Sequence, residues 1–225
     1  METTNLHPAL TVLDGLSSKP PVGKPNLLGF TRPELTTFVE EAGEKRFRAD
    51  QLYTALFEQK LNGFSEITTL SKNLRQALTD TFVVTRPVID QVEASEDGTR
   101  KYRFVTVDGL AFEAVYIPQV AKGSRTNTLC VSSQTGCAVG CKFCFTASLR
   151  RNRNLAAAEI VGQVLAVQDD VTADDERARV TNIVFMGMGE PLLNFKEVIK
   201  ACKILIDEKG CQFSGRRITI STSGT

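Results

Sequence analysis

With 27 basic and 26 acidic side chains in 225 residues, the net charge is +1, so the chain as a whole is not a polycation built for nucleic acid. A hydrophobic content of 42% and a charged content of 24% are those of a soluble globular protein, and no apolar run is long enough to span a bilayer. The start, Met1-Glu-Thr-Thr-Asn-Leu-His, lacks the charged-then-apolar layout of a secretory signal. No membrane partner is expected, and a cytoplasmic, reducing location fits. There the six cysteines read as ligands or catalysts rather than disulfides.

Residues 1–26 are rich in proline and glycine and read as a flexible leader. A helical unit over 27–87 follows. Thr31-Arg-Pro-Glu34 is a capping-box start; a second helix is predicted over about Ala49–Gln59, and a third from Ser71 using Leu74 and Leu78. Between Thr31 and Arg86 eight basic residues balance eight acidic ones, so this unit is no plain polycationic clamp. Taken alone it could be a packing appendage.

From Val88 the period turns from helical to alternating. Strands are predicted near Val88–Ala94, Lys101–Val107 and Leu110–Ile117, joined by the turn dipeptides Asp97-Gly98 and Asp108-Gly109, which makes 88–122 a β-meander extension. Glu113 shares a strand face with Ala111, Val115 and Ile117. A carboxylate among apolar neighbours tends to keep its proton and suits acid–base work, although an exposed edge-strand glutamate would look the same.

The segment 123–225 alternates strand and helix: a strand over Thr128–Ser133 carrying Cys130, a helix over Ala156–Gln168, a strand over Val180–Met186, a helix capped by Asn194-Phe-Lys-Glu197, and a strand over Arg217–Thr222. This is the grammar of a parallel sheet with covering helices, in which sites form at the C-terminal strand ends. Three segments fall there: the cysteine loop after the first strand, Gly187-Met-Gly-Glu190-Pro191 after the second, and Ser221-Thr-Ser-Gly224 in the third. The acidic run from Asp169 to Glu176 reads as a solvated loop, Cys202 as core, and Cys211 as a loop residue without an evident role.

The loop Cys137-Ala-Val-Gly-Cys141-Lys-Phe-Cys144 places three thiols within eight residues, spaced C-x3-C-x2-C. Thiolates suit iron or zinc, not magnesium or calcium. A structural zinc site wants four ligands, and no second C-x2-C pair exists. Three cysteines therefore suggest a four-iron cluster with one iron left for a non-protein ligand; a zinc knuckle and three reduced core thiols are the alternatives. Between Glu113 and Glu159 no acidic residue occurs, while Lys122, Arg125, Lys142, Arg150, Arg151 and Arg153 are basic. These six charges either balance an anionic centre or form a phosphate-contacting rim.

The cysteine spacing is that of radical S-adenosylmethionine (radical SAM) enzymes. The run Leu129-Cys-Val-Ser-Ser-Gln-Thr-Gly-Cys137-Ala-Val-Gly-Cys141-Lys-Phe-Cys144, with Arg153-Asn-Leu and Met186-Gly-Met-Gly-Glu-Pro-Leu-Leu-Asn194, resembles the RlmN/Cfr family of RNA adenine-C2 methyltransferases, nearer the RlmN branch. The likeness runs from about Gly29 to the last residue. It implies an α/β fold: a partial TIM-like radical SAM (β/α) barrel, incomplete here, preceded by the small antiparallel β-extension and an N-terminal helical, RNA-contacting domain. It implies that Cys137, Cys141 and Cys144 ligate a 4Fe-4S cluster, that Gly189 and Glu190 contact the amino end of S-adenosyl-L-methionine, and that Ser221 binds the same cofactor. Phe143 would lie near its adenine. Glu113 matches the proton-accepting glutamate and Cys130 the cysteine that resolves a protein–RNA crosslink. Ribosomal RNA and tRNA would be the partners, with an electron donor such as flavodoxin.

The resemblance also implies the reaction. A methyl group moves from one cofactor molecule to a cysteine, a second cofactor molecule supplies the radical that removes hydrogen from it, and the carbon adds to the electron-poor C2 of an unstacked adenine. The methyl-carrying cysteine of the family lies near the C-terminus of a longer chain. Neither Cys202 nor Cys211 lies in a matching segment, so these 225 residues alone are expected to be inactive. A zinc-stabilised RNA-binding module, or a radical SAM enzyme with another substrate, remains the alternative.

Overall fold

The computed structural model describes residues 23–121, 124–149 and 153–224. Most of the expected leader lies outside them, and its last part is tied down: Asn26 caps the short turn Leu27–Gly29, donates to the Thr85 carbonyl at 2.7 Å and forms a bridge with Val83. Three helices follow, α1 (Arg32–Glu41), α2 (Phe47–Phe57) and α3 (Lys72–Thr81). The capping box at the head of α1 forms as its sequence dictates, the Thr31 amide donating to Glu34 Oε2 at 2.7 Å. Ser71 caps α3 by accepting from the Leu74 amide.

One six-stranded sheet runs in chain order, β1 (Val88–Ala94), β2 (Arg100–Val105), β3 (Ala111–Ala121), β4 (Ser124–Cys130), β5 (Asn182–Phe185) and β6 (Ile218–Ile220). The first four strands pair antiparallel; β4 with β5 and β5 with β6 are parallel. The β-meander and the barrel strands are thus a single sheet, because β3 pairs with β4 over seven positions, from Val115↔Cys130 to Ala121↔Ser124. Between β4 and β5 runs α4 (Ala157–Asp174), and between β5 and β6 runs α5 (Phe195–Ile206).

Alternation sorts the strands into two unlike faces. Tyr102, Phe104, Phe112, Ala114, Tyr116, Leu129, Ile183 and Phe185 are buried and join the core with Ile160, Val161, Val164 and Val167 of α4 and the apolar residues of α1–α3. Lys101, Arg103, Glu113, Val115, Cys130 and Val184 occupy the other face and stay partly or largely exposed. Among the described residues, helices cover one side only. At Gly162 of α4 the approach is so close that an added Cβ would lie 2.4 Å from the Pro87 ring.

The acidic run does not form a solvated loop. Asp169, Asp170 and Asp174 belong to the last turns of α4, where carboxylates oppose the helix dipole. Cations from three other segments offset this. Lys60, after α2, and Arg86, before β1, meet Asp169; Arg100 of β2 meets Asp170 at 3.0 Å and Asp174 at 2.6 Å. The buried Tyr102 hydroxyl donates to Asp170 at 2.7 Å. Local patterning missed this because every partner is distant in sequence. Asp170→Ala, which leaves the buried Tyr102 hydroxyl without its acceptor and Arg100 with Asp174 alone, is expected to cost about 1–3 kcal/mol. Asp174→Ala, at a side chain 64% exposed, should stay within about 0.5 kcal/mol. Urea unfolding of both variants is the check, and equal losses would contradict the bridge.

Candidate functional site

The three cysteines lie on an excursion closed at its neck. Residues 133–135 and 153–155 run side by side: the Thr135 amide donates to the Arg153 carbonyl at 2.9 Å, the Leu155 amide to the Ser133 carbonyl at 3.0 Å, and Gln134 Nε2 to Asn154 Oδ1 at 2.7 Å. Asn194 braces the neck from the β5–α5 connection, donating to the carbonyls of Ser133 and Leu155 at 2.8 Å each. It therefore does not cap α5 with its side chain, as its sequence position suggested. Glu197, expected to close that cap, accepts from the Ala157 amide at the start of α4 instead.

The end of β4 is fixed by one residue. At Ser132 the strand ladder has stopped, yet the residue is fully buried. Gln163 of α4, also fully buried, takes both main-chain groups: the Ser132 amide donates to Gln163 Oε1 and Gln163 Nε2 donates to the Ser132 carbonyl, each at 3.0 Å. The Ser132 hydroxyl donates to the Glu113 carbonyl on β3 and accepts from the Met188 amide at 2.8 Å. One serine thus joins β3, β4, α4 and the Gly-Met-Gly-Glu loop. This also explains why β4 ends at Cys130, short of the predicted Ser133.

That loop sits tight against the neck. Gly189 has φ +100°, and a Cβ there would lie 2.6 Å from Gln134 Cβ, so only glycine fits. Next to it Glu190 is 4% exposed. Its amide donates to Gln134 Oε1 at 2.9 Å, and its carboxylate gathers donors from the segment after β6. Burial works to raise its pKa, but hydrogen bonds from the Ser223 amide, the Thr222 hydroxyl, the Leu192 amide and the Ser223 hydroxyl outweigh this and hold it at about 2. Ser221 is exposed at the end of β6, beside those two contacts.

Glu113 and Cys130 come together. Val115 and Cys130 are directly paired, so Glu113 is the diagonal neighbour of Cys130 on the uncovered face, about 7–8 Å away by sheet geometry. Burial raises the Cys130 thiol above its ordinary 9.0, partly opposed by a hydrogen bond from the Met186 backbone. Glu113 does share its face with Ala111, Val115 and Ile117, but that face is the open one, and Lys101 Nζ stands 3.7 Å from its carboxylate and 3.0 Å from Glu93. The environment is an ion-pair ladder across three strands, not an apolar pocket. Beside it a cleft of about 470 Å³ is lined by Arg103, Glu113, Thr135, Phe145, Leu149 and Met188.

The basic rim is altered by the structure. Arg153 is committed: its guanidinium pairs with Glu159 and Asp108 at 2.8 Å each. Lys142 is exposed, whereas Lys122, Arg150, Arg151 and the side chain of Arg125 lie outside the described part. Cys202 and Cys211 pack against the core, and burial raises both thiols.

The residues present fit an iron–sulfur centre in donor chemistry. Cys137, Cys141 and Cys144 are free, partly exposed thiols, and hydrogen bonds from the Thr146 hydroxyl and amide lower the pKa of Cys144, which favours thiolate. Phe143 between them is 94% exposed. Among the described residues no three Cys, His, Asp or Glu side chains are already gathered closely enough to hold a metal ion. Metal–thiolate bonds would supply the energy that draws the loop together. Sequence reasoning missed Ser132, Gln134 and Gln163. All three are polar residues inside buried stretches, a signal that a hydrogen-bonding duty exists but not what it is.

Two family models match this chain, the ribosomal RNA large subunit methyltransferase N-terminal domain over residues 25–84 and the radical SAM superfamily over 131–225. A dual-specificity RNA methyltransferase RlmN from Geotalea uraniireducens is 48% identical over 201 residues, which cover 89% of this chain and 55% of the relative. Another from Halorhodospira halophila is 48% identical, covering 90% and 54%. A crystal structure of a radical SAM methyltransferase from Sphaerobacter thermophilus superposes with a TM-score of 0.78 at 38% identity, over 89% of this chain and 57% of that one. The chain spans about half the length of the curated relatives it matches. Its fold, its cysteine loop and both matched segments agree in likening the chain, over the part of their length that it spans, to the RlmN-like radical SAM RNA methyltransferases.

Proposed function

We propose that this chain is the N-terminal part of an enzyme that methylates C2 of adenine in ribosomal RNA and tRNA, working in the cytoplasm with an electron donor such as flavodoxin. The observation that carries the reading is the placement of Cys130 beside Glu113 on the open face of the strand that runs into the cysteine loop. A radical SAM enzyme acting on another substrate has no evident use for that pair. The exposed face leaves room for an unstacked base.

A bound 4Fe-4S cluster and S-adenosyl-L-methionine would supply the radical chemistry of this family. This chain's part is to hold and to move protons. Cys137, Cys141 and Cys144 would bind the cluster, and Gly189, Glu190 and Ser221 would frame the cofactor's amino-acid end. Glu113 would accept the C2 proton, with Lys101 orienting its carboxylate. Cys130, after losing a proton that its burial makes harder to remove, would then attack the sulfur of the methyl-carrying cysteine, so that a disulfide forms as the carbon–sulfur bond of the crosslink breaks and the released carbon takes up a proton. The helical unit 27–87 would contact RNA.

The test is the full-length protein expressed in a strain lacking its own enzyme. 2-Methyladenine should be found in ribosomal RNA and tRNA, and unmodified RNA from soluble, cluster-loaded protein would remove the assignment. Anaerobic reconstitution with iron and sulfide should give about four irons per chain. Replacing any one of Cys137, Cys141 or Cys144 by alanine should abolish that iron; a colourless protein holding one tight zinc would instead establish the RNA-binding module. Cys130→Ala should trap a covalent protein–RNA adduct, seen as a nuclease-sensitive mass increase. In the wild type, decay of that adduct should accelerate as pH rises through and beyond 9.0, because the raised thiol must ionise before it attacks.

A further inference from the structure

Glu190 is the place where resemblance and geometry part. An ionised carboxylate has about four lone-pair positions for donors. All four are taken by the protein itself. Oε1 accepts from the Leu192 amide at 3.0 Å and the Thr222 hydroxyl at 2.6 Å; Oε2 accepts from the Ser223 amide at 2.8 Å and the Ser223 hydroxyl at 2.9 Å. Its main chain is equally committed, the amide to Gln134 Oε1 and the carbonyl to the Leu193 amide at 3.1 Å. At 4% exposure the side chain has no route to a further donor without surrendering one of these. The neighbouring Gly189 differs: among the described residues its main-chain N–H and C=O take no partner.

We infer that Glu190 is a positioning residue: its side chain latches the Thr222–Ser223 segment after β6 to the loop after β5 and, through Gln134, to the neck of the cysteine loop, and does not itself bind the cofactor's ammonium group. The ends of three successive parallel strands are thereby held as one rim. The cofactor's amino-acid end then meets main chain at Gly189, and Glu190 acts on affinity only by keeping Ser221 and its neighbours in place. Resting on the cofactor reading above, the inference replaces one of its contacts by a structural tie.

The experiment uses the full-length, cluster-loaded protein as wild type, Glu190→Gln, Thr222→Val and the double variant. A carboxamide of the same shape turns one acceptor into a donor facing the Ser223 amide and hydroxyl. Without added cofactor, amide hydrogen exchange in segment 221–224 should speed up about tenfold or more in Glu190→Gln, in keeping with the loss of charge-assisted hydrogen bonds. Unchanged exchange would overturn the latch. S-Adenosylmethionine is then titrated against the electron paramagnetic resonance signal of the reduced cluster. Glu190→Gln should weaken binding about tenfold, Thr222→Val by less, and the double variant no further than Glu190→Gln. Strictly additive losses would mean that Glu190 meets the ligand by itself, which also overturns the inference. Thr222→Val changes only an exposed loop residue and keeps the test available if Glu190→Gln misfolds. Should the wild-type signal ignore added S-adenosylmethionine, the cofactor reading falls, while the exchange measurement still decides the latch.

Discussion

The site depends on a bidentate bond between a helix side chain and a strand end. Ser132 lies where the β4 ladder has run out but burial has not, and an unpaired main-chain group there would cost about 1–3 kcal/mol. Gln163 reaches down from α4 and satisfies both its N–H and its C=O. Because the pair is buried, it has one geometry. The chain therefore leaves the sheet at a defined point and direction, the Ser132 hydroxyl is free to hold the Met188 amide and the Glu113 carbonyl, and the cysteine excursion starts from a rigid base.

Around this base the fold separates two duties. The helix-covered face of the sheet carries the large aromatics and supplies cohesion, while the uncovered face carries Lys101, Arg103, Glu113 and Cys130 and stays partly wet. The helical unit is tied to the rest by the carboxylates near the end of α4, which draw Lys60, Arg86 and Arg100 to one place. Isolated surface pairs contribute little, but this group forms a network, and one member holds a buried tyrosine hydroxyl.

What could be read in the sequence was whatever is encoded locally. The C-x3-C-x2-C spacing, the capping box at Thr31, the Asp-Gly turns and the alternation of β2 and β3 all depend on residues a few positions apart, and the structure has them where the sequence places them, whereas β1 forms as a strand but is exposed along nearly all its length. The misreadings share one cause. Local patterning reads the acidic run as solvent-facing loop and Asn194 as a helix cap, and it leaves Arg153 open between a carboxylate partner and a phosphate rim; in each the deciding partner is remote: Arg86, Ser133 and Asp108. Alternation puts Glu113 on the same strand face as Ala111, Val115 and Ile117, but it does not tell that this face lies open or that a lysine on the next strand reaches it. Gln163 was unreadable because an amide in a helix looks like surface until the strand end beneath it is known.

Glu113 and Cys130 sit on adjacent, hydrogen-bonded strands rather than on loops. Their separation is therefore set by the pleat and not by side-chain choice. Replacing either residue changes a side chain but leaves the spacing alone, whereas a single inserted residue between 113 and 115 would swing the carboxylate to the helix-covered side. Mutation is thus free to change the tools on the bench but has no means of sliding the bench.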